Sequence, residues 1–140
     1  MTCTFFGHRD CDESIKEDLK KTVIDLIENR GVMRFLLGNH GNFDRLTLDV
    51  LRKCKREFPY IDFCVVLAYL PKNSNFDYET IYPEGIENVP NRFAISLRNN
   101  YMVEQSDSVV GYIQKPFGGA HKFFKTAQDK GKTCINLYKT

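Results

Sequence analysis

The sequence has no apolar stretch close to the roughly 20 residues that a membrane-spanning helix needs. Its first apolar run, residues 2–6, has no basic lead-in and no cleavage site, so we expect no signal peptide, no membrane partner and a cytoplasmic location. Lys and Arg number 20 against 18 Asp and Glu, which leaves a formal net charge of only +2. That balance argues against a dedicated duplex-DNA binder, which normally carries a basic stripe.

Metal and cofactor signatures are also missing. The cysteines are odd in number and no two are spaced as Cys-x-x-Cys, so we expect reduced thiols and no zinc site. There is no complete Gly-x-Gly-x-x-Gly and no Gly-Lys-Ser/Thr, which excludes a dinucleotide fingerprint and a P-loop ATPase. We therefore predict no metal and no resident cofactor. The cysteines are Cys3, Cys11, Cys54, Cys64 and Cys134.

What is present is the composition of an ordinary globular protein, 42% hydrophobic and 27% charged. The 140 residues predict a single domain over 1–140. Helical and strand-like patterns alternate, and the run 64–68 is apolar throughout, as in a strand covered on both faces. The pattern predicts an α/β, three-layer fold with about five mostly parallel strands and helices on both faces. Strands are predicted at 2–6, 33–37, 62–69, 109–113 and 133–138, and helices at 12–29, 43–57, 91–105 and 119–130.

One connection, residues 71–90, is too long for an ordinary loop and is typical of a lid or binding loop. Within it, residues 76–81 are the candidate for a short helix. The tyrosines of this connection, together with the tyrosine that precedes it, are candidates to cover a ligand's base by stacking. They are Tyr69, Tyr78 and Tyr82.

Three predicted strands end in turns that contain glycine, at residues 7–10, 38–44 and 115–121. In a parallel sheet, ligands bind beyond the carboxyl ends of the strands where the strand order reverses, so we expect these turns to converge. In the last of them, Gly118 and Gly119 open a helix whose first N–H groups, with that of Ala120, suit a phosphate. Gly38 and Gly41 would flank a sugar or a second phosphate.

The first turn, which begins at Gly7, carries candidate ligand-binding side chains. Arg9 suits a phosphate or carboxylate because its planar fork allows bidentate contact; the alternative is a structural pair with Asp10 or Asp44. His8, and His40 in the second turn, are candidates to bond a base or sugar, or are ordinary loop residues. Asp44 is favoured as a helix cap and could still bond a ribose hydroxyl.

A fourth group lies in the predicted helix 91–105. Arg98 and Met102 are one turn apart and share a face. Met102 would lie under the sheet while Arg98 reaches the ligand, with Asn99 beside it. The alternative is a surface arginine next to a core methionine. Asp107, at the start of a strand and away from the ligand end, is expected to be structural.

Together these motifs resemble the SLOG superfamily, the Rossmann-like proteins that include the Lonely Guy phosphoribohydrolases and the Rossmann domain of DNA-processing protein A. The similarity covers almost the whole chain and points to the small stand-alone bacterial branch of unknown function. The motifs that carry it are Gly7-His8-Arg9, Gly38-x-x-Gly41-x-x-Asp44, Arg98-x-x-x-Met102 with Ser106-Asp107, and Gly118-Gly119.

The resemblance implies a nucleotide-derived ligand. The Lonely Guy enzymes use an arginine, which Arg98 matches, and a glutamate that follows a Pro-Gly-Gly-x-Gly-Thr turn. Here the corresponding turn, from Pro116 onward, has no Gly-Thr, and the next acid is Asp129, nearly three helical turns away. The expected function is therefore binding or sensing of a phosphate-bearing, nucleotide-derived small molecule.

Two alternatives stay open. The first is an N-glycosidic phosphoribohydrolase acting on nucleoside monophosphates, with Arg98 as a catalytic residue and Asp44, His8 or His121 in place of the glutamate. The second is single-stranded nucleic-acid binding through the lysines of the last unit, for which a solvated lysine face is the favoured interpretation. Pairing of copies into a homo-oligomer through helices is also left open. The lysines are Lys115, Lys122, Lys125, Lys130 and Lys132.

Overall fold

The computed structural model describes residues 1–71 and 75–139. Within these ranges, strands and helices alternate along the chain. The strands are β1 (Thr2–Gly7), β2 (Arg34–Leu37), β3 (Asp62–Val66), β4 (Thr80–Ile81), β5 (Ser108–Tyr112) and β6 (Thr133–Asn136). The helices are α1 (Lys16–Arg30), α2 (Asn42–Glu57), α3 (Asn91–Gln105) and α4 (Gly119–Asp129).

The strands form one six-stranded sheet in the order β4-β3-β2-β1-β5-β6, and every pairing in it is parallel. The chain runs outward from β1 in one direction through β2 and β3, then returns to the other side of β1 to form β5. The strand order therefore reverses between β1 and β5, and the carboxyl ends of these two strands flank the crevice where ligands bind in such sheets.

Helices cover both faces of the sheet, because alternate residues of each strand point to opposite faces. Phe5, Phe35 and Leu37 belong to the core that packs against α1 and α2. Phe6 and Leu36 belong to the core that packs against α3 and α4. This is a three-layer, Rossmann-like α/β fold, and it confirms the predicted fold class with one strand more than expected.

The additional strand lies where the sequence suggested a short helix, and that prediction was wrong. Thr80 and Ile81 form β4 and pair in parallel with Val65 and Val66 of β3. The N–H of Leu67 donates to the carbonyl of Ile81 at 2.7 Å. A strand at the edge of a sheet leaves N–H and C=O groups unpaired, and β4 satisfies those of β3. Of the predicted long connection, residues 72–74 lie outside the described residues.

Other boundaries shift by a few residues. Strand β3 ends at Val66, three residues before its predicted end. Helix α1 begins at Lys16, after a 3₁₀ turn over Glu13–Ile15, because the carboxylate of Asp12 accepts the N–H of Ser14 at 2.8 Å. Gly31 has φ 69° after the last residue of α1, so the predicted left-handed stop is confirmed.

Two further sequence-based expectations concern helices and thiols. In the described ranges, no helix is both long enough and apolar enough to cross a membrane. All the cysteines are free thiols, as predicted. Burial raises the pKa of Cys3 to about 12, which keeps this thiol protonated and unreactive at neutral pH.

Candidate functional site

A cleft of about 410 Å³ opens beside the carboxyl ends of β1 and β5, where the strand order reverses. Its walls come from the turn after β1, the turn after β2, the face of α3 and the turn that leads into α4. The expected convergence of strand-end turns is thus found at this place. The predicted site residues that line the cleft are Gly7, His8, Arg9, Asp44, Arg98, Asn99, Gly118, Gly119 and Ala120.

Gly38 and Gly41 do not line the cleft; each allows a close packing contact. A Cβ at Gly38 would lie 2.8 Å from Oδ2 of Asp44 and 2.9 Å from Nη1 of Arg98. A Cβ at Gly41, which has φ 91°, would lie 2.8 Å from Cα of Arg9. The N–H of Asn42 already donates to the carbonyl of Arg9 at 2.9 Å. The chain itself therefore occupies the start of α2, where a sugar or a second phosphate was expected.

The start of α4 is open instead. Gly118 has φ 93° and ψ 174°, a region that is essentially restricted to glycine, and α4 has no side-chain cap. The N–H groups of Gly119 and Ala120 have no acceptor among the described residues. A Cβ added at Gly118 or Gly119 would meet no atom within 4 Å. Unpaired N–H groups at the positive end of a helix dipole, with free space in front of them, favour an anion.

Replacing Gly118 with alanine is expected to lower the free energy of unfolding by about 1 to 2 kcal/mol, through backbone strain without a steric clash. Because relief of the strain would move the turn, affinity for a phosphate-bearing ligand should fall as well. Chemical denaturation and calorimetric titration measure the two effects. Gly31→Ala is the matched control, since Gly31 also has positive φ and open space but caps α1 away from the cleft. Equal loss of affinity in both variants would contradict a role for Gly118 in the site.

Arg98 and Asn99 form the inner wall of the cleft and are 3% and 7% exposed. Nε of Arg98 donates to Oδ1 of Asn99 at 2.8 Å, and Nη1 donates to the carbonyl of Val66 at 3.1 Å. Over 1–71 and 75–139, Nη2 of Arg98 and the amide nitrogen of Asn99 have no hydrogen-bond partner. Burial lowers the pKa of Arg98, but a guanidinium stays protonated. The alternative of a surface arginine is wrong, and Met102 lies in the core as expected.

Asp44 faces the same inner wall. Its Oδ2 accepts the N–H of His40 at 2.9 Å, so it closes the turn before α2 as a cap would. No ion pair within 4.0 Å joins it to Arg98 in the described structure. Desolvation raises the pKa of Asp44 to about 6, although the His40 N–H and the positive charges of Arg98 and Arg9 act in the opposite direction. The carboxyl is therefore partly protonated near neutral pH.

The imidazole of His40 also lines the cleft. Its Nδ1 is buried and has no hydrogen-bond partner among the described residues. The ring meets that of Tyr69 edge to face, with centroids 6.0 Å apart. Burial, together with the charges of Arg98 and Arg9, lowers the pKa of His40, so the ring is neutral at pH 7 and carries an unsatisfied polar nitrogen.

His8 is 9% exposed, and its bonds go to the protein. Its Nε2 accepts two backbone N–H groups, those of Gln114 and Lys115, each at 3.0 Å. Two donors on Nε2 require the ring proton to be on Nδ1. Burial, first, and then the charge of Lys115 lower the pKa of His8. The neutral ring thus joins the turn after β1 to the turn after β5.

Arg9 lies at the mouth of the cleft with an exposed side chain. The proposed structural pair with Asp10 is not formed, because Asp10 pairs with Lys115 at 2.8 Å. In the part of the chain that the structure describes, no ion pair involves Arg9. Its guanidinium is therefore available to an anion in the cleft.

Sequence reasoning missed Phe117, which lines the cleft mouth and is 66% exposed. The signal was an aromatic residue directly before the glycine pair.

Tyr78, a candidate base-stacking residue, lies elsewhere: it stacks on Phe76 with centroids 5.0 Å apart, and Arg52 lies 5.6 Å from its ring centroid. His121 is not part of the cleft lining. Over 1–71 and 75–139, no three His, Cys, Asp or Glu side chains are grouped as metal ligands.

No protein-family model matches the chain, and no curated protein matches it. Among solved structures, the X-ray structure of DNA processing protein A (DprA) from Streptococcus pneumoniae is similar, with a TM-score of 0.69 and 14% sequence identity. The match covers 95% of this chain and 48% of that one, so the chain spans about half the length of its structural neighbour. At this identity the likeness establishes the Rossmann-like fold and nothing finer.

Proposed function

We propose that this protein binds or senses a nucleotide-derived small molecule that carries a phosphate group. The observation that carries the proposal is the shared cleft: the uncapped start of α4 opens into the same space as the buried Arg98. The N–H groups of Gly119 and Ala120 are free to donate hydrogen bonds to a phosphate. Arg98 and Asn99 have unpartnered N–H donors and are almost fully buried in the inner wall of the cleft. Hydrogen bonds from donors in such a place to an anion are strong.

The rest of the cleft suits the other parts of a nucleotide. Phe117 presents an exposed aromatic face at the mouth, and stacking on a base is worth about 1 to 3 kcal/mol in comparable sites. At the inner wall, the carboxyl of Asp44 would accept a hydrogen bond from a sugar hydroxyl. The SLOG resemblance of the glycine turns supports the same class of ligand.

Calorimetric titration and thermal unfolding with matched pairs of ligands test the proposal. We expect nucleoside monophosphates, nucleoside diphosphates or ADP-ribose to release heat and raise the Tm, while the same nucleosides without phosphate bind much more weakly. Ligand at about 100 times its Kd stabilises the fold by about 2.7 kcal/mol, a shift of several degrees. If no phosphate-bearing compound in the panel gave heat or a shift, the proposal would be abandoned.

A second candidate function is hydrolysis of the N-glycosidic bond of a nucleoside monophosphate. The observation in its favour is that Asp44 lies in the cleft near Arg98 with a pKa of about 6, a value suited to proton transfer near neutral pH. Of the other side chains considered for this role, His8 has its Nε2 occupied and His121 lies outside the lining. Release of free base from nucleoside monophosphates decides the question; no base at high protein concentration excludes it.

Single-stranded nucleic acid is a third candidate, because the structural neighbour is a DNA processing protein. Two of the lysines that suggested it are engaged in ion pairs, Lys115 with Asp10 at 2.8 Å and Lys125 with Asp129 at 3.8 Å. This pairing favours the interpretation of a solvated surface. Binding of single strands that weakens steeply with added salt would support the candidate, and its absence would remove it.

A further inference from the structure

We propose that His8 is a positioning residue that holds residues 114–118, here called the anion loop, in place only while its imidazole is neutral, so that anion binding at α4 is gated by a proton. The inference deepens the proposed function and rests on it. The loop leads from β5 to Gly118, the residue directly before α4, so its position sets where the free N–H groups point.

The geometry of His8 carries the argument. The residue is nine-tenths buried, and its Nε2 is the acceptor for both Gln114 N–H and Lys115 N–H at 3.0 Å. Both bonds are partly buried, and losing the acceptor that they share is costly, so they act to fix the loop. The contact joins residues that are 106 and 107 positions apart in the chain, and it ties the turn after β1 to the turn after β5 beside the Lys115–Asp10 ion pair at the surface.

Protonation of His8 would put a proton on Nε2. This nitrogen would then face the N–H groups of Gln114 and Lys115 as a third donor. An imidazolium carries N–H at both ring nitrogens and has no acceptor left. The loop must then move away from His8, and the first N–H groups of α4 move with it. The charged groups around the ring are Lys115 of the loop, Asp10 of its own turn and His121 of α4. Burial and Lys115 oppose protonation, while Asp10 favours it, and the balance keeps the ring neutral at pH 7.

A simpler role for His8, direct contact with the ligand's anion, makes the opposite prediction. A ligand-contacting histidine binds an anion better when it is protonated, so affinity would rise as the pH falls. A histidine that positions the loop favours anion binding only while it is neutral, so affinity would fall as the pH falls. The direction of the pH dependence thus separates the two roles.

The first experiment needs no ligand and uses the wild-type protein. NMR of ¹⁵N-labelled protein between about pH 8 and pH 5 follows the ring nitrogens of His8 and the amides of Gln114 and Lys115. We expect the tautomer with the proton on Nδ1, and amide shifts that move with the midpoint of His8. A proton on Nε2 at high pH, or amides that do not respond to the titration of His8, would overturn the proposal.

The second experiment measures binding of sulfate, which stays a dianion over this range, in wild type and three variants. His8→Gln keeps an acceptor at the same reach but does not titrate, so it should bind within about threefold of wild type at high pH and lose the acid-side fall. His8→Ala loses the acceptor and should bind about tenfold more weakly at every pH. His121→Gln keeps His8 and should keep the acid-side fall, with its midpoint at a higher pH, because the charge of His121 no longer opposes protonation of His8.

Asp44 also titrates in this range and the titratable ring of His40 lines the same cleft, so the difference between wild type and His8→Gln is the quantity that tests His8. An identical acid-side fall in both proteins, or a rise in wild-type affinity at low pH, would refute the gating. Should sulfate bind none of the proteins at any pH, the anion site of the proposed function fails, and the NMR result still decides whether His8 holds the loop.

Discussion

Arg98→Met is expected to weaken the binding of a phosphate-bearing nucleotide by about a hundredfold, or about 2.7 kcal/mol. Arg98 is 3% exposed, so its guanidinium would bond the ligand where little water is present and the hydrogen bonds are not weakened by solvent. The substitution also removes the positive charge that acts against the raised pKa of Asp44, and it leaves the Val66 carbonyl without its donor. Methionine is similar in length and fills the space, so the chain should still fold. Calorimetric titration gives the loss directly.

Arg92→Met is the matched control. Arg92 lies on the same helix, is exposed, packs over Phe93 at 4.8 Å and does not line the cleft. The Arg92→Met variant should therefore bind the nucleotide as tightly as wild type does. Arg98→Lys separates charge from shape, because lysine keeps the charge but cannot form the fork that bonds Asn99. We expect an intermediate affinity. If Arg98→Met and Arg92→Met bound equally well, Arg98 would have only a structural role and the ligand would bind elsewhere.

The fold was predictable because its signals are local. The apolar run of β3, the helical spacing in α1 and α2, and the glycines after the strands each lie within one short stretch of sequence. Strand β4 escaped because it has two residues, and what defines it is pairing with Val65 and Val66 rather than any pattern of its own. An aromatic and polar segment such as 76–81 fits a short helix equally well until the unpaired edge of β3 is considered.

For the candidate site, the sequence predicts which turns meet better than it predicts what each residue does. Glycine turns after parallel strands must converge, and Gly118 and Gly119 do line one cleft with Arg98, while their binding of a ligand stays a prediction. The role of Gly41 depends on the path of Arg9 over it, a contact between distant segments. His8 likewise meets its two donors across more than a hundred residues. Such tertiary contacts have no signature in the local sequence.

Asp44→Asn is expected to raise the free energy of unfolding at neutral pH by up to about 3 kcal/mol. The pKa of Asp44 is about 6 in the folded protein and 3.8 for the unperturbed side chain. Between these two values the folded state binds more protons than the unfolded state, so the contribution of Asp44 to stability falls as the pH rises through this window. Above it, the folded protein carries the full cost of a desolvated carboxylate. Asparagine can still accept the N–H of His40 and has no charge to desolvate.

Urea denaturation at several pH values checks this. The difference between Asp44→Asn and wild type should be largest above about pH 7 and should vanish below about pH 3, since the wild-type carboxyl is then neutral in both states. Asp49→Asn is the control on the same helix: its carboxylate pairs with Lys16 at 3.5 Å near the surface, so its change should stay below about 1 kcal/mol. An Asp44→Asn protein that was less stable than wild type at neutral pH would show that attraction to Arg98 outweighs desolvation.

The same variant connects stability with the proposed function. A carboxylate that destabilises the fold at neutral pH and lies in a cleft, facing Arg98 without a direct pair, is more consistent with a binding group than with a structural one. Asp44→Asn should therefore bind a nucleotide with its ribose hydroxyls more weakly than wild type while being more stable. The corresponding deoxynucleotide should show a smaller loss, because it lacks a ribose hydroxyl that donates a hydrogen bond to the carboxylate. Equal losses for both ligands would place the sugar away from Asp44.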